Sequence, residues 1–144
     1  MALYTAVFTD AESVVAARYS KAIKADATPA EAVGSVLDAA RRLHAEDSSI
    51  PSFLAGVPIE MRNHPEVSDA IAQCEVKTAA VLIALFERAK ERDLLGPDVN
   101  AYAMAALLFA STTGVALFAQ TPLGFTYEEM IDALQQLVDG TSFS

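Results

Sequence analysis

Residues 88–120 read RAKERDLLGPDVNAYAMAALLFASTTGVALFAQ. Charge crowds Arg88–Asp93 and then stops: from Val99 through Tyr127 there is no Asp, Glu, Lys or Arg. A helix's length of uncharged sequence is a membrane span, a deeply buried core helix, or a surface that another subunit covers. Residues 102–119 approach the length of a span. Asn100, Ser111, Thr112, Thr113 and Gln120 dilute the run, and its flanks carry Asp98, Glu128 and Glu129 with no basic residue on the far side. That pattern argues against a span.

The two faces of this helix decide between the remaining readings. At about 100° per residue, Ala103, Ala106, Ala110, Thr113, Gly114 and Leu117 fall together. The small residues at 106, 110 and 114 leave a shallow groove that lets another helix approach closely. Met104, Leu108, Ser111, Val115 and Phe118 lie opposite. No side is charged, so no side belongs to water. A second subunit on the small-residue face, with Ile131, Leu134, Leu137 and Val138 of the last helix alongside, resolves this. A central helix in a monomer is the plainer alternative.

The rest of the chain is helical in pattern. Val15, Tyr19, Ala22 and Ile23 keep helical spacing over 9–26, and Leu3, Tyr4, Val7 and Phe8 keep it before them. Thr28-Pro29-Ala30-Glu31 is a capping box with proline at the first helical position, and the helix it opens buries Val33, Val36, Leu37, Ala40 and Leu43. A short helical piece carries Phe53, Leu54 and Val57, closed by Gly56 and Pro58. Asn63-His64-Pro65-Glu66 starts the longest helix, 65–93, with a seam of Val67, Ile71, Cys74, Thr78, Leu82, Leu85 and Ala89. Its run 79–86 is apolar all round, which predicts helices on every side. Gly96 and Pro97 end it, and Asp98 caps the uncharged helix over 99–120. Thr126-Tyr127-Glu128-Glu129 opens a last helix to Val138, with Phe125 and Met130 placed as a hydrophobic staple. The expectation is an all-α bundle of six helices.

Composition narrows the function. A chain of 144 residues with 53% apolar side chains suits one ordered domain with a substantial core. Ten basic against nineteen acidic side chains give a net charge of −9, which repels a phosphate backbone and makes direct nucleic-acid binding a poor reading. The lone Cys74 forms no internal disulfide and favours a reducing cytoplasm; the N-terminal stretch lacks the pattern of a secretory signal. No Glu-x-x-His pair of the di-iron type occurs, no histidine follows His64 to hold a haem, and no phosphate loop or nucleophile motif is present. His44 lies on an apolar stripe and His64 beside a helix start, so neither makes a site. The expectation is a protein with no catalytic activity, cofactor or metal.

Met61-Arg62-Asn63-His64-Pro65-Glu66, the end Phe86-Glu87-Arg88-Ala89-Lys90-Glu91-Arg92, the junction Leu94-Leu95-Gly96-Pro97-Asp98-Val99 and the uncharged helix with Gly114 together resemble the C-terminal ligand-binding and dimerisation domain of tetracycline-repressor-like (TetR family) regulators. The resemblance spans nearly the whole chain and rests on helix order and junctions. It implies a homodimer whose last two long helices pair with their copies as a four-helix bundle, through Ala106, Ala110, Thr113, Gly114, Leu117, Ile131, Leu134 and Val138. It also implies a small apolar or weakly polar effector among Phe53, Leu54, Val57, Met61, Thr78, Leu82, Phe86, Met104, Leu108 and Ser111. The family's N-terminal helix-turn-helix is missing, and residues 1–8 look like its connector helix. The expectation is a truncated regulator or excised domain that does not itself bind operator DNA. The rival reading is a helical interaction module with no small-molecule pocket.

Overall fold

The structure, a computed structural model, describes residues 1–140. These residues are all-helical: α1 (Ala2–Ala22), α2 (Pro29–Glu46), α3 (Ser49–Asn63), α4 (Pro65–Ala72), α5 (Lys77–Glu91), α6 (Ala101–Ala119) and α7 (Tyr127–Asp139). Seven helices therefore replace the expected six. The first is one continuous helix from Ala2, with no boundary at residue 9, and it stops at Ala22 because Ile23 turns extended.

The capping box at α2 forms as its residues dictate. The Glu31 N–H donates to Thr28 Oγ1 at 3.2 Å, and the Thr28 N–H donates to Glu31 Oε1 at 3.1 Å. Thr126 likewise accepts from the Glu129 N–H at the start of α7. The cap of α6 is Asn100 rather than Asp98: its side chain accepts from the Ala103 N–H at 3.0 Å. Helix α5 ends before Gly96. Asp93 takes a left-handed φ of 56°, and the Leu94 N–H reaches back to the Ala89 carbonyl at 2.9 Å, a Schellman ending built on aspartate.

Two departures shape the interior. Helix α3 runs straight through Gly56 and Pro58 for 15 residues instead of closing there. Pro58 has no N–H to give to the Leu54 carbonyl, so one helical hydrogen bond is missing at that turn. The expected helix 65–93 is broken at Gln73–Val76 into α4 and α5. Helix α5 has no cap of its own; the Thr78 N–H donates to Glu12 Oε2 of α1 at 3.0 Å. In an unbroken helix that N–H would serve the Cys74 carbonyl.

Packing produces two apolar clusters. The larger centres on Val36, Leu37, Leu82 and Ile131, which have no accessible surface, and is shared by α1, α2, α5, α6 and α7 with Ala55 of α3. The smaller joins Phe8, Val57, Val67 and Ile71 under α1, α3 and α4. Helix α5 lies along α6, α2 packs on α1 and α7, and α3 packs on α6 and α4. The run 79–86 is not surrounded on every side: Ala80 is exposed, and with Val81 and Ala84 it walls an open groove rimmed by Lys24, Arg88 and Arg92.

Candidate functional site

A cavity of about 210 Å³ lies at the seam where the two clusters fail to merge. Its wall takes Phe8, Glu12, Val15 and Tyr19 from α1 and Ala40 and Leu43 from α2. Helix α3 adds Pro51, Leu54, Ala55, Val57, Pro58 and Met61, and Ile71, Val76 and Thr78 come from the α4–α5 junction. Phe109, Thr112, Thr113 and Ala116 of α6 and Tyr127 of α7 complete it. Pro58 is the one exposed residue in its lining. The α4–α5 break and the proline turn of α3 both lie on its wall.

The polar groups in this wall are few. Glu12 is only 3% exposed. One carboxylate oxygen caps α5 through Thr78, and among the described residues no Lys, Arg or His pairs with the carboxylate. The Thr78 hydroxyl is buried and has no hydrogen-bond partner among the described residues. Tyr19 is buried beside Thr112; burial, more than the neighbouring Tyr127 or Glu12, pushes its phenol far above the ordinary range. Burial likewise pushes the Tyr127 phenol up to about 12, with Arg41 acting weakly in the other direction. Tyr127 donates to the Ala40 carbonyl at 3.3 Å and stacks on His44, ring centroids 3.9 Å apart. Both phenols are therefore fixed neutral donors or acceptors, not acid–base groups.

Of the residues expected to hold an effector, Leu54, Val57, Met61 and Thr78 line this cavity. The others do not. Phe53 is half-buried and its ring meets Tyr4 at 5.5 Å. Leu82, Phe86 and Leu108 are packed into the larger cluster. Met104 is 37% exposed, and the Ser111 hydroxyl is spent on the Leu107 carbonyl at 2.7 Å. Sequence reasoning missed Glu12, although Phe8, Glu12, Val15 and Tyr19 at positions i, i+4, i+7 and i+11 put a carboxylate in an apolar stripe.

The uncharged helix α6 has its inward stripe at Ala101, Ala105, Leu108 and Ala116, with Phe109 and Thr112. Its phase differs from the expected one: Met104 and Phe118, placed inside from the sequence, are exposed. Of the expected interface, Ala106 and Ala110 are exposed, and apart from the adjoining turns of α6 itself nothing among the described residues lies within 4 Å of where a Gly114 side chain would begin. Leu117, Leu134 and Val138 are partly buried against the core of their own protomer. Ile131 is fully buried there and Thr113 lines the cavity, so neither is free to meet a partner as expected. Tyr102, Leu107 and Phe118 extend the uncovered face, and Leu137 of α7 is exposed as well. Among the described residues α6 alone is long and apolar enough to cross a membrane, and only 22% of that stretch is buried in the protomer.

No group of three or more His, Cys, Asp and Glu side chains able to hold a metal occurs among the described residues. No family model matches the chain, and no curated protein or solved structure is significantly similar to it.

Proposed function

We propose that this chain is a small-molecule-binding helical domain that works as a homodimer, in the manner of the ligand-binding halves of TetR-like regulators. The observation that carries this reading is the cavity between the two apolar clusters. It is walled by residues of all seven helices and bordered by two backbone irregularities, the α4–α5 break and Pro58. A packed domain has no use for such a space, since interiors fill to the density of organic crystals. In a regulator, an occupant that binds one arrangement of α1, α3 and α4 more tightly than another would shift those helices and, through them, a DNA-binding helix-turn-helix.

The dimer part of the proposal is supported by α6. Tyr102, Leu107, Ala110 and Phe118 present an uncharged face to solvent, and patches of this kind mark interaction surfaces. A copy of the same face is uncharged as well and would leave no buried charge unpaired. The same surface also favours the second reading, a helical interaction module, which makes no use of the cavity.

Native mass spectrometry together with a thermal-shift screen of small apolar compounds, on the parent and on Ala116→Phe, tests both parts. Ala116 lies on the cavity wall, so a ring there occupies the space. The sensor reading expects a dimer, a thermal shift in the parent, and a folded variant that has lost the shift. A packed interaction module expects no shift in the parent and a severely destabilised variant, because a filled core resists added volume by about 1–3 kcal/mol or more.

A further inference from the structure

The wall of the cavity carries acceptors that no donor among the described residues meets. Glu12 offers a carboxylate of which one oxygen is spent on the Thr78 N–H, and no cation pairs with it among the described residues. Thr78, on the same wall, carries a buried hydroxyl without a partner. Leu54 and Pro58 are also on the wall, and the proline leaves the Leu54 carbonyl without its helical donor. Capping α5 uses one acceptor at Glu12 and leaves the second carboxyl oxygen without a donor among the described residues. A glutamine, asparagine or serine would cap the helix as well, and a buried polar atom that meets no partner is costly. Apart from Thr112, Thr113 and the two phenol hydroxyls the rest of the wall is apolar, and it holds the rings of Phe8, Tyr19, Phe109 and Tyr127, a type of surface that favours a cation.

Taking the sensor reading as its basis, we propose that the cavity is a site for a small hydrophobic amine, its ammonium held by Glu12 and Thr78 and its apolar body enclosed by α1, α3 and α6. An ammonium brings three N–H donors, and the second Glu12 oxygen, the Thr78 hydroxyl oxygen and the Leu54 carbonyl can accept them. Size limits the body. A cavity of about 210 Å³ lies between the ~150 Å³ space that holds a benzene ring and the ~300–1,000 Å³ of drug-sized sites, so one ring with a short arm fits. The protein's charge of −9 draws cations toward its surface and works in the same direction.

The test compares 2-phenylethylamine, 2-phenylethanol and toluene by calorimetry and thermal shift on the whole chain, on Glu12→Gln and on Thr78→Val. The amine should bind the parent roughly 10–100-fold more tightly than the alcohol, the range of a charge-assisted hydrogen bond. Glu12→Gln keeps an amide oxygen for the Thr78 N–H and should bring the amine down to the alcohol. If that variant does not fold, Thr78→Val, which keeps the backbone N–H, should still narrow the amine's advantage. Equal binding of amine and alcohol by the parent, or an amine preference unchanged in the folded variants, overturns the inference while leaving an apolar sensor in place. Failure of all three compounds to bind overturns both.

Discussion

The Thr78 hydroxyl sets up a substitution whose expected sign is unusual for a core position. Thr78 is 5% exposed, its N–H is held by Glu12, and its hydroxyl is buried with no partner. A buried hydroxyl with no partner costs about 1–3 kcal/mol in lost hydration. Thr78→Val puts a methyl in its place, keeps the branched side chain, and leaves the backbone bond to Glu12 intact. The ligand-free protein should gain about 1 kcal/mol. Unfolding releases about 2.1 cal/mol/K per residue, or about 0.3 kcal/mol/K for 144 residues, so the melting temperature should rise by about 3 °C. Thr78→Ser is the control. It keeps the stranded hydroxyl, loses a buried methyl, and should cost about 0.8 kcal/mol. Calorimetry and urea denaturation at constant m-value read both variants. A fall of several degrees for Thr78→Val would show that the hydroxyl is hydrogen-bonded in the folded protein, and the unmet acceptor at Thr78 would go with it.

Two further outcomes follow from the surface of the fold. Gly114 is in mid-helix with open space beside it, so Gly114→Ala should stabilise the protomer by about 0.5–1 kcal/mol. Gly114→Leu and Ala110→Arg should leave the fold intact and split the proposed dimer; light scattering that shows both still dimeric removes α6 from the interface. At the start of α2, hydrogen bonds from the Thr28 hydroxyl and N–H hold the Glu31 carboxyl below the ordinary carboxylate range. A carboxyl lowered by folding adds stability above its unfolded pKa, and the contribution is lost as pH falls through the folded value. Thr28→Ala should therefore lower the melting temperature at neutral pH, and the gap to the parent should narrow on acidification. A gap that is constant with pH contradicts the capping box.

Much of this protein is decided within a few residues of chain. Thr28 and Glu31, and Thr126 and Glu129, lie three apart and find each other in any context, so these helix starts are legible as soon as the residues are read. The stripe Val33, Val36, Leu37, Ala40 and Leu43 is equally legible and is buried as its spacing requires. The all-helical character follows from such local pairs and stripes together. Asn100 rather than Asp98 at the cap of α6 shows the limit of that reading: both side chains can cap, and packing of Ala101 and Ala105 selects the start.

What tertiary structure decides is wherever the partner is distant or the pattern is mute. The seam Val67, Ile71, Cys74, Thr78 and Leu82 reads as one helix, yet it breaks at 73–76 because Glu12, 66 positions earlier than Thr78, accepts the N–H that would have continued it. Pro58 reads as a helix stop, yet α3 continues, because the cost of one lost hydrogen bond is offset by the turn beyond it, which packs Met61 against the smaller cluster. Helix α6 carries no charge to mark its outer face, so its sequence shows that the helix is apolar but not which way it turns. Only the packing of α5, α3 and α7 fixes Ala105, Leu108 and Ala116 as the inner stripe. The cavity belongs to this second class. It exists because two apolar clusters, each readable as core, stop short of one another, and distance between clusters is a property of the folded chain alone.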